Sequence, residues 1–185
     1  VLITGLGIIG HLAAQNFAAC GYQVIACDPA PARQALATRQ GLRDVRASVP
    51  LDDPTLADKV ALAIDCSGHE QAVLDACKIV KKRGEVVSTA TPWQRRTEIY
   101  AHELLHTLFT RYIVLRSGWE WELPLHATDF RTNSIYGNLA AAMHWIAEGR
   151  VNVTGLAALV EPDQANAVYR ELQGQPAQHL TMLFD

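Results

Sequence analysis

The chain opens with VLITGLGIIGHLAAQNFAACGYQVIACD, residues 1–28, and this stretch determines the fold. Residues 1–4 form a short apolar run typical of a buried strand. The next six residues, Gly5-Leu6-Gly7-Ile8-Ile9-Gly10, have the spacing Gly-x-Gly-x-x-Gly. Apolar residues then recur at helical spacing until Gly21, and a second strand over residues 23–27 ends at Asp28. Strand, glycine turn, helix, strand and acid together predict the βαβ motif that binds dinucleotides.

The three glycines have separate physical roles in such a motif. Gly5 allows a tight turn, Gly7 lets the backbone approach a pyrophosphate, and Gly10 lets the helix pack closely on the strand. The N-terminus of the helix, at Ile8 and Ile9, offers free N–H groups and the positive end of a dipole to phosphates. Asp28 can accept hydrogen bonds from both ribose hydroxyls and repels a 2′-phosphate, so we expect NAD(H) rather than NADP(H). The alternative is a glycine-rich turn that binds nothing.

Strands and helices alternate along the rest of the first two thirds of the chain. The predicted strands are 41–46, 60–66, 85–90 and 112–117, and the predicted helices are 32–40, a short one to residue 59 capped by Asp53, 69–82 and 97–109. This alternation predicts a Rossmann-type, doubly wound parallel α/β sheet with strand order 3-2-1-4-5-6.

In a sheet of this order, the ligand lies at the C-terminal ends of the strands, where strands 1 and 4 meet. We therefore expect Cys66-Ser67-Gly68 and Thr89-Ala90-Thr91 to lie beside residues 5–10 in the cofactor site. Ser67 has two interpretations, because its hydroxyl either bonds the cofactor or caps the helix that follows.

The pattern changes after residue 118. A tryptophan-rich loop is followed by a predicted helix (133–148), a strand (155–160), a helix (161–173) and a last strand (179–184). These elements predict a C-terminal α/β appendage. We place the domain boundary so that residues 1–131 form the dinucleotide-binding domain and residues 132–185 form the appendage.

Composition narrows the function classes. The 185 residues are 49% hydrophobic with a net charge of −3, which argues against a nucleic-acid footprint or an anionic-membrane patch. No apolar run approaches the ~18 residues of a membrane helix. The four cysteines form no CxxC pair, which favours reduced thiols in the cytoplasm. Because the chain begins without Met, directly at the first strand, we expect that a further segment precedes it.

In these features the chain resembles the zinc-type medium-chain dehydrogenases/reductases, which include alcohol and polyol dehydrogenases. The resemblance covers nearly the whole chain and rests on the following matches: GLGIIG at 5–10, the acid-x4-Arg spacing from Asp28 to Arg33, GLRDV at 41–45, DCSG at 65–68, and the tail over 145–172. It implies that Asp28 holds the adenosine ribose and that Arg33 lies over the adenine. It also implies NAD-dependent hydride transfer between a small alcohol or carbonyl substrate and nicotinamide.

In that family a separate catalytic domain carries the zinc ligands and the proton relay. We therefore expect no catalytic residue and no metal ligand in this chain, and no turnover by the chain alone. Residues 132–185 match the segment that returns to the catalytic domain, so their strands should leave open edges and apolar faces. The family also dimerises through the strand that matches Tyr112–Ser117, which implies a homodimer here.

Several alternatives remain open. A zinc-free quinone or enoyl reductase of the same superfamily is one, and a non-enzymatic sensor of NAD and NADH is another. His102-Glu103-Leu104-Leu105-His106 matches the zinc motif HExxH, but no third ligand follows at a suitable spacing, so we expect a half-exposed helix. Trp93, Trp119 and Trp121 are candidates for a substrate mouth or for packing, and His11 is a candidate to face a phosphate.

Overall fold

A six-stranded, entirely parallel sheet organises the first part of the chain. The computed structural model describes residues 1–90, 93–119, 122–174 and 180–185. The strands of this sheet are β1 (Leu2–Thr4), β2 (Ile25–Cys27), β3 (Asp44–Arg46), β4 (Leu62–Asp65), β5 (Glu85–Ser88) and β6 (Val114–Ser117). Their order is β3-β2-β1-β4-β5-β6, which confirms the predicted Rossmann-type sheet.

The register aligns the C-terminal ends of the central strands. Thr4, the last residue of β1, lies opposite Cys27 of β2 and opposite Asp65 of β4. The residues that follow these strands therefore emerge at one edge of the sheet. This edge is where a doubly wound sheet binds its ligand.

Helices cover both faces of the sheet. They are α1 (Ile8–Ala19), α2 (Pro31–Arg39), α3 (Glu70–Ile79) and α4 (Ala101–Arg111), and a fifth helix, α5 (Ile135–Ala147), follows β6 in the chain. Side chains alternate between the faces along each strand, so that Leu2 belongs to one apolar core and Ile3 to the other. The core around Leu2 includes Ala76 and Cys77 of α3, and the core around Ile3 includes Ala14 of α1.

Several predicted elements have other bounds than the observed ones, and two of these differences have a local cause. The strand predicted over Tyr112–Ser117 begins only at Val114, because Tyr112 has φ 56° and ends α4 in the left-handed conformation. The N–H of Ile113 then bonds the carbonyl of Leu108 at 3.1 Å. The short helix predicted up to Lys59 is a single 3₁₀ turn, Pro54–Leu56, and Asp53 caps it as predicted.

The chain divides into two compact units, Val1–Val151 and Asn152–Asp185. The second unit holds β7 (Ala157–Val160), α6 (Ala165–Gly174) and β8 (Thr181–Phe184), and the two strands pair in parallel. His179, the predicted start of the last strand, lies outside the described residues. Leu159, Leu183 and Phe184 are exposed, in agreement with the expected apolar faces. The predicted domain boundary between residues 131 and 132 stays a prediction.

No helix in the described part of the chain has the length and hydropathy to cross a bilayer.

His11 is a fully buried titratable side chain on α1. It is 0% exposed, and neither ring nitrogen has a hydrogen-bond partner. Its side chain is therefore not exposed to a phosphate at the start of α1. Desolvation lowers its pKa, so that the neutral imidazole is the favoured form in the folded chain.

We expect Gly10→Ala to lower the free energy of unfolding by about 3 kcal/mol, because overpacking against backbone cannot be relieved by a side-chain rotation. A Cβ on Gly10 would lie 1.7 Å from the carbonyl oxygen of Gly5. Gly7→Ala is the matched control, since a Cβ there meets no atom within 4 Å. Urea unfolding measures both variants, and equal losses would contradict this packing argument.

Acidification should destabilise the fold through His11. The unfolded chain binds the proton with the ordinary histidine pKa of 6.5, whereas the folded chain resists it. The free energy of unfolding should therefore fall as the pH drops below about 6.5 and be independent of His11 above it. In His11→Leu this dependence should weaken, and stability at neutral pH should rise by about 1 kcal/mol because no unpaired nitrogen stays buried. Urea unfolding across this pH range is the measurement. An unchanged pH dependence in His11→Leu, matching that of the exposed-site control His106→Gln, would count against it.

Candidate functional site

The turn after β1 leads directly into the N-terminus of α1. The N–H of Gly5 bonds the carbonyl of Cys27 at 2.8 Å, and Gly5 has φ 82°. Gly7 is the N-cap of α1 and carries no capping side chain. The first N–H groups of a helix have no partner within it, so those at Ile8 and Ile9 can bind an anion. A Cβ at Gly7 would meet open space, so the backbone here can be approached closely.

Asp28 lies beside this turn and is hydrogen-bonded to it. Its Oδ2 accepts a hydrogen bond from the N–H of Leu6 at 2.7 Å, and its Oδ1 accepts one from the N–H of Ala30 at 2.8 Å. Arg33 donates to Oδ2 from its Nη1 at 3.3 Å. The side chain of Asp28 is only 2% exposed, while that of Arg33 is 43% exposed. Access to this carboxylate is therefore limited in the structure.

The turn after β4 contacts the glycine turn. A Cβ on Gly5 would lie 2.7 Å from the backbone of Ser67, and one on Gly10 would lie 3.1 Å from the Cβ of Cys66. The N–H of Cys66 also bonds the carbonyl of Thr4 at 2.8 Å. The structure thus brings together the two predicted segments, residues 5–10 and residues 66–68.

Asp65 organises this second turn, and the sequence interpretation did not single it out as a site residue. The carboxylate is 0% exposed. Its Oδ1 accepts bonds from the hydroxyl of Thr4 at 2.7 Å and from the hydroxyl of Ser67 at 2.6 Å, and its Oδ2 accepts the N–H of Gly68 at 3.3 Å. An acid at the end of an apolar strand is the sequence signal that could have identified it.

Ser67 is not the cap of α3, so that interpretation was wrong. His69 is the N-cap, and its Nδ1 accepts the N–H of Gln71 at 3.3 Å. The hydroxyl of Ser67 instead donates to Asp65 and accepts the N–H of His69 at 3.1 Å. Its predicted contact with a cofactor stays a prediction.

The end of β5 joins the same edge. The N–H of Thr89 bonds the carbonyl of Asp65 at 2.8 Å, and the Thr89 hydroxyl lies 2.8 Å from that oxygen and 3.2 Å from the Sγ of Cys66. Burial raises the pKa of the Cys66 thiol, which therefore stays neutral at pH 7. Thr91 lies outside the described residues, so its placement stays a prediction.

A cavity of about 580 Å³ opens at this edge. Its lining residues come from the last positions of β5 and β6 and from the segments after β4, β5 and β6: Ser67, Gly68, Ser88, Thr89, Ala90, Trp93, Gln94, Arg96, Ser117 and Trp119. Four of the predicted cofactor residues thus share one cavity, and two of the three predicted tryptophans line it as well. The third, Trp121, lies outside the described residues.

The HExxH stretch lies on α4, outside this cavity. The rings of His102 and His106 are stacked, with centroids 6.1 Å apart. No group of three or more histidines, cysteines or acids that could hold a metal ion occurs among the described residues. These two histidines are therefore not assigned as part of a metal centre.

The model of the zinc-binding dehydrogenase family matches residues 9–121 of the chain. Among solved structures, L-idonate 5-dehydrogenase from Escherichia coli is similar with a TM-score of 0.72 and 22% identity, over 99% of this chain and 49% of that one. Acetophenone reductase from Geotrichum candidum, in complex with NAD, has a TM-score of 0.67 and 21% identity, over 96% and 46%. Benzyl alcohol dehydrogenase from Acinetobacter calcoaceticus has a TM-score of 0.75 and 16% identity, over 100% and 49%.

These likenesses show that the chain shares the fold of those enzymes. The chain spans about half the length of each of them. No curated protein sequence matches the chain.

We expect Asp65→Ala to lower the free energy of unfolding by about 3 kcal/mol, because it leaves several buried donors without an acceptor. Asp65→Asn should cost about 1 kcal/mol, since an amide oxygen can still accept the bonds made by Oδ1. Urea unfolding measures both, with Asp52→Ala as a control at an exposed acid. Similar values for all three variants would show that Asp65 does not hold the turn.

Proposed function

We propose that this chain, which belongs to the zinc-binding dehydrogenase family, binds NAD(H) and orients it for hydride transfer. The substrate in this proposal is a small alcohol or carbonyl compound. The observation that carries it is the joined geometry of the glycine turn, the buried Asp28 and the turn after β4 at one edge of the sheet. The family match favours this function over a sensor, and Asp28 argues against an NADPH-dependent quinone or enoyl reductase.

Each part of the dinucleotide has a proposed place. The pyrophosphate binds the N–H groups of Ile8 and Ile9 beside Gly7, where the structure has an uncapped helix N-terminus. The adenosine ribose binds Asp28, and Arg33 lies over the adenine. The nicotinamide enters the cavity lined by Ser67, Gly68, Thr89 and Ala90. When bound, the cofactor supplies the hydride chemistry.

Arg33 has two positions in this proposal. In the structure it bonds Oδ2 of Asp28 and covers the carboxylate. The bond is long at 3.3 Å, and the side chain of Arg33 is partly in solvent. The buried carboxylate keeps the N–H groups of Leu6 and Ala30 as partners when Arg33 leaves. Moving the guanidinium frees Oδ2 for a ribose hydroxyl and makes the planar cation available to an adenine ring.

The zinc of the family is a separate matter. The described part of the chain gathers no group of three possible ligands, so we assign no zinc ligand to it and derive no step through the metal. In this proposal the residues of the chain bind and orient the cofactor.

We place the protein in the cytoplasm, because its four cysteines are free thiols, as a reducing compartment favours.

The proposal includes a homodimer formed through β6. This strand is an edge of the six-stranded sheet, and Val114 on it is exposed. Leu105 and Phe109 of α4 and Tyr112 after it are also exposed, so apolar surface adjoins the open edge. Sedimentation velocity distinguishes a dimer from a monomer, and a monomer at high concentration would refute this part of the proposal.

We expect the chain to bind NADH more tightly than NADPH, and we expect Asp28→Asn to narrow that difference by about tenfold. The reason is that removal of the charge relieves its repulsion of the 2′-phosphate and weakens its bond to the ribose. Isothermal titration calorimetry with each cofactor is the measurement. Asp52→Asn, at an exposed acid, should leave both affinities unchanged.

Two outcomes would oppose the proposal. If neither cofactor binds the wild-type chain, the glycine turn is structural and the proposed function fails. If NADH binds but Asp28→Asn leaves the preference intact, the cofactor site stands and the role of Asp28 is wrong. A urea unfolding curve for Asp28→Asn is needed beside the titration, because Asp28 also holds the N–H of Leu6.

A further inference from the structure

The residues that line the cavity at the edge of the sheet form two chemically different sets, which we name the first side and the second side. The first side consists of Ser67, Gly68, Thr89 and Ala90, which the proposed function assigns to the nicotinamide. The second side consists of Trp93, Gln94, Arg96, Ser117 and Trp119. If the cofactor contacts the residues of the first side, those of the second side are left for the substrate. The inference below rests on the proposed function in this respect.

The hydrogen-bond donors on the first side are already used by the protein. The hydroxyl of Ser67 donates to Asp65 at 2.6 Å, and that of Thr89 lies 2.8 Å from the carbonyl of Asp65. The hydroxyl of Ser88, which also lines the cavity, donates to the carbonyl of Ala90 at 2.9 Å. These groups therefore have only acceptor capacity left to offer a ligand.

The donors on the second side are not used in this way. The side-chain amide of Gln94 and the guanidinium of Arg96 donate no hydrogen bond to another described residue. The hydroxyl of Ser117 accepts the N–H of Trp119 at 3.2 Å, which leaves its own proton available. Three side chains that line the cavity thus carry unused donors.

Arg96 is the charged member of this set, and the described lining of the cavity contains no acidic side chain. Glu70 does approach Arg96, but its Oε1 accepts the backbone N–H at 3.0 Å and forms no salt bridge with the guanidinium. The neighbouring Arg95, in contrast, pairs with Glu98. The charge of Glu70 attracts the guanidinium of Arg96 at longer range, but this guanidinium bonds no carboxylate among the described residues. With the neutral donors beside it, it therefore favours a ligand group that only accepts hydrogen bonds and carries negative charge.

We propose that the substrate carries an anionic group, a phosphate or a carboxylate, that Arg96 binds together with Gln94 and Ser117. The exposed indole of Trp93, 83% in solvent, and that of Trp119 form the apolar walls against which the carbon chain of the substrate packs. The anionic group anchors the far end of the substrate and leaves its reactive carbon toward Ser67 and Thr89, where the nicotinamide is proposed. Arg96 is therefore a specificity-determining residue.

The test is calorimetric titration of the full 185-residue chain, saturated with NADH, with three probes of equal carbon number. Sorbitol is neutral, sorbitol 6-phosphate carries a phosphate, and gluconate carries a carboxylate. We expect at least one anionic probe to bind about tenfold or more tightly than sorbitol, and added salt should weaken that binding. The two anionic probes distinguish a phosphate from a carboxylate.

Two variants locate the effect. Arg96→Gln should reduce the affinity for the anionic probe to that for sorbitol, because it removes the charge and keeps a side chain of similar length. Its backbone N–H remains available to Glu70. Arg95→Gln is the matched control, since Arg95 lies next in sequence but does not line the cavity, and it should leave all affinities as in the wild-type chain.

The remaining outcomes overturn the inference. Equal affinities for the three probes, or no binding of any, would show that the cavity does not select an anion. A preference that survives Arg96→Gln, or that Arg95→Gln abolishes equally, would show that Arg96 is not its source. The NADH titration separates this inference from the proposed function. If NADH fails to bind, both fall, whereas NADH binding without anion selectivity removes only the inference about the substrate.

Discussion

The close approach of Gly10 to the carbonyl oxygen of Gly5 is the constraint on which the first unit depends. A Cβ at Gly10 would lie only 1.7 Å from that oxygen, so the start of α1 packs directly on the turn that follows β1. The N-terminus of the helix is thereby held above the C-terminal edge of the sheet. The same turn presents the N–H of Leu6 to Asp28. The helix α1, the turn after β1 and Asp28 therefore have one fixed arrangement. The positive end of the helix dipole lies at the C-terminal edge of the sheet.

Two buried carboxylates hold this arrangement from opposite sides of β1. Asp28 follows β2 and Asp65 ends β4, the two strands that pair with β1. Each accepts backbone N–H groups of a turn, as a bound anion would, and so each satisfies donors that would otherwise be buried unpaired. The donors at the start of α1 have no such acid, because no acidic residue lies in its first turn. The protein thus supplies its own carboxylates to the turns after β2 and β4 but none to the first turn of α1.

Most of the fold could be predicted because it depends on local signals. Short apolar runs, glycine punctuation and helical periodicity determine the sheet order, and the contact of residues 5–10 with residues 66–68 follows from that order. Tyr112 was beyond prediction, since a left-handed tyrosine depends on how α4 ends against the chain that follows it. The cap of α3 by His69 and the burial of His11 were missed for a related reason. The cap depends on the hydroxyl of Ser67 being bonded to Asp65, and the burial of His11 depends on how segments distant in sequence pack around α1.

The position of β1 in the centre of the sheet has a consequence for synthesis on the ribosome. Its first partner, β2, emerges soon after it, but its second partner, β4, lies more than thirty residues beyond β2 along the chain. At translation rates of about 5–20 residues per second, β1 keeps one unpaired edge for about two seconds or longer. During that interval the nascent chain carries an apolar strand with free N–H and carbonyl groups. A chaperone that shields this edge until Leu62–Asp65 arrives would prevent it from pairing with a second nascent chain.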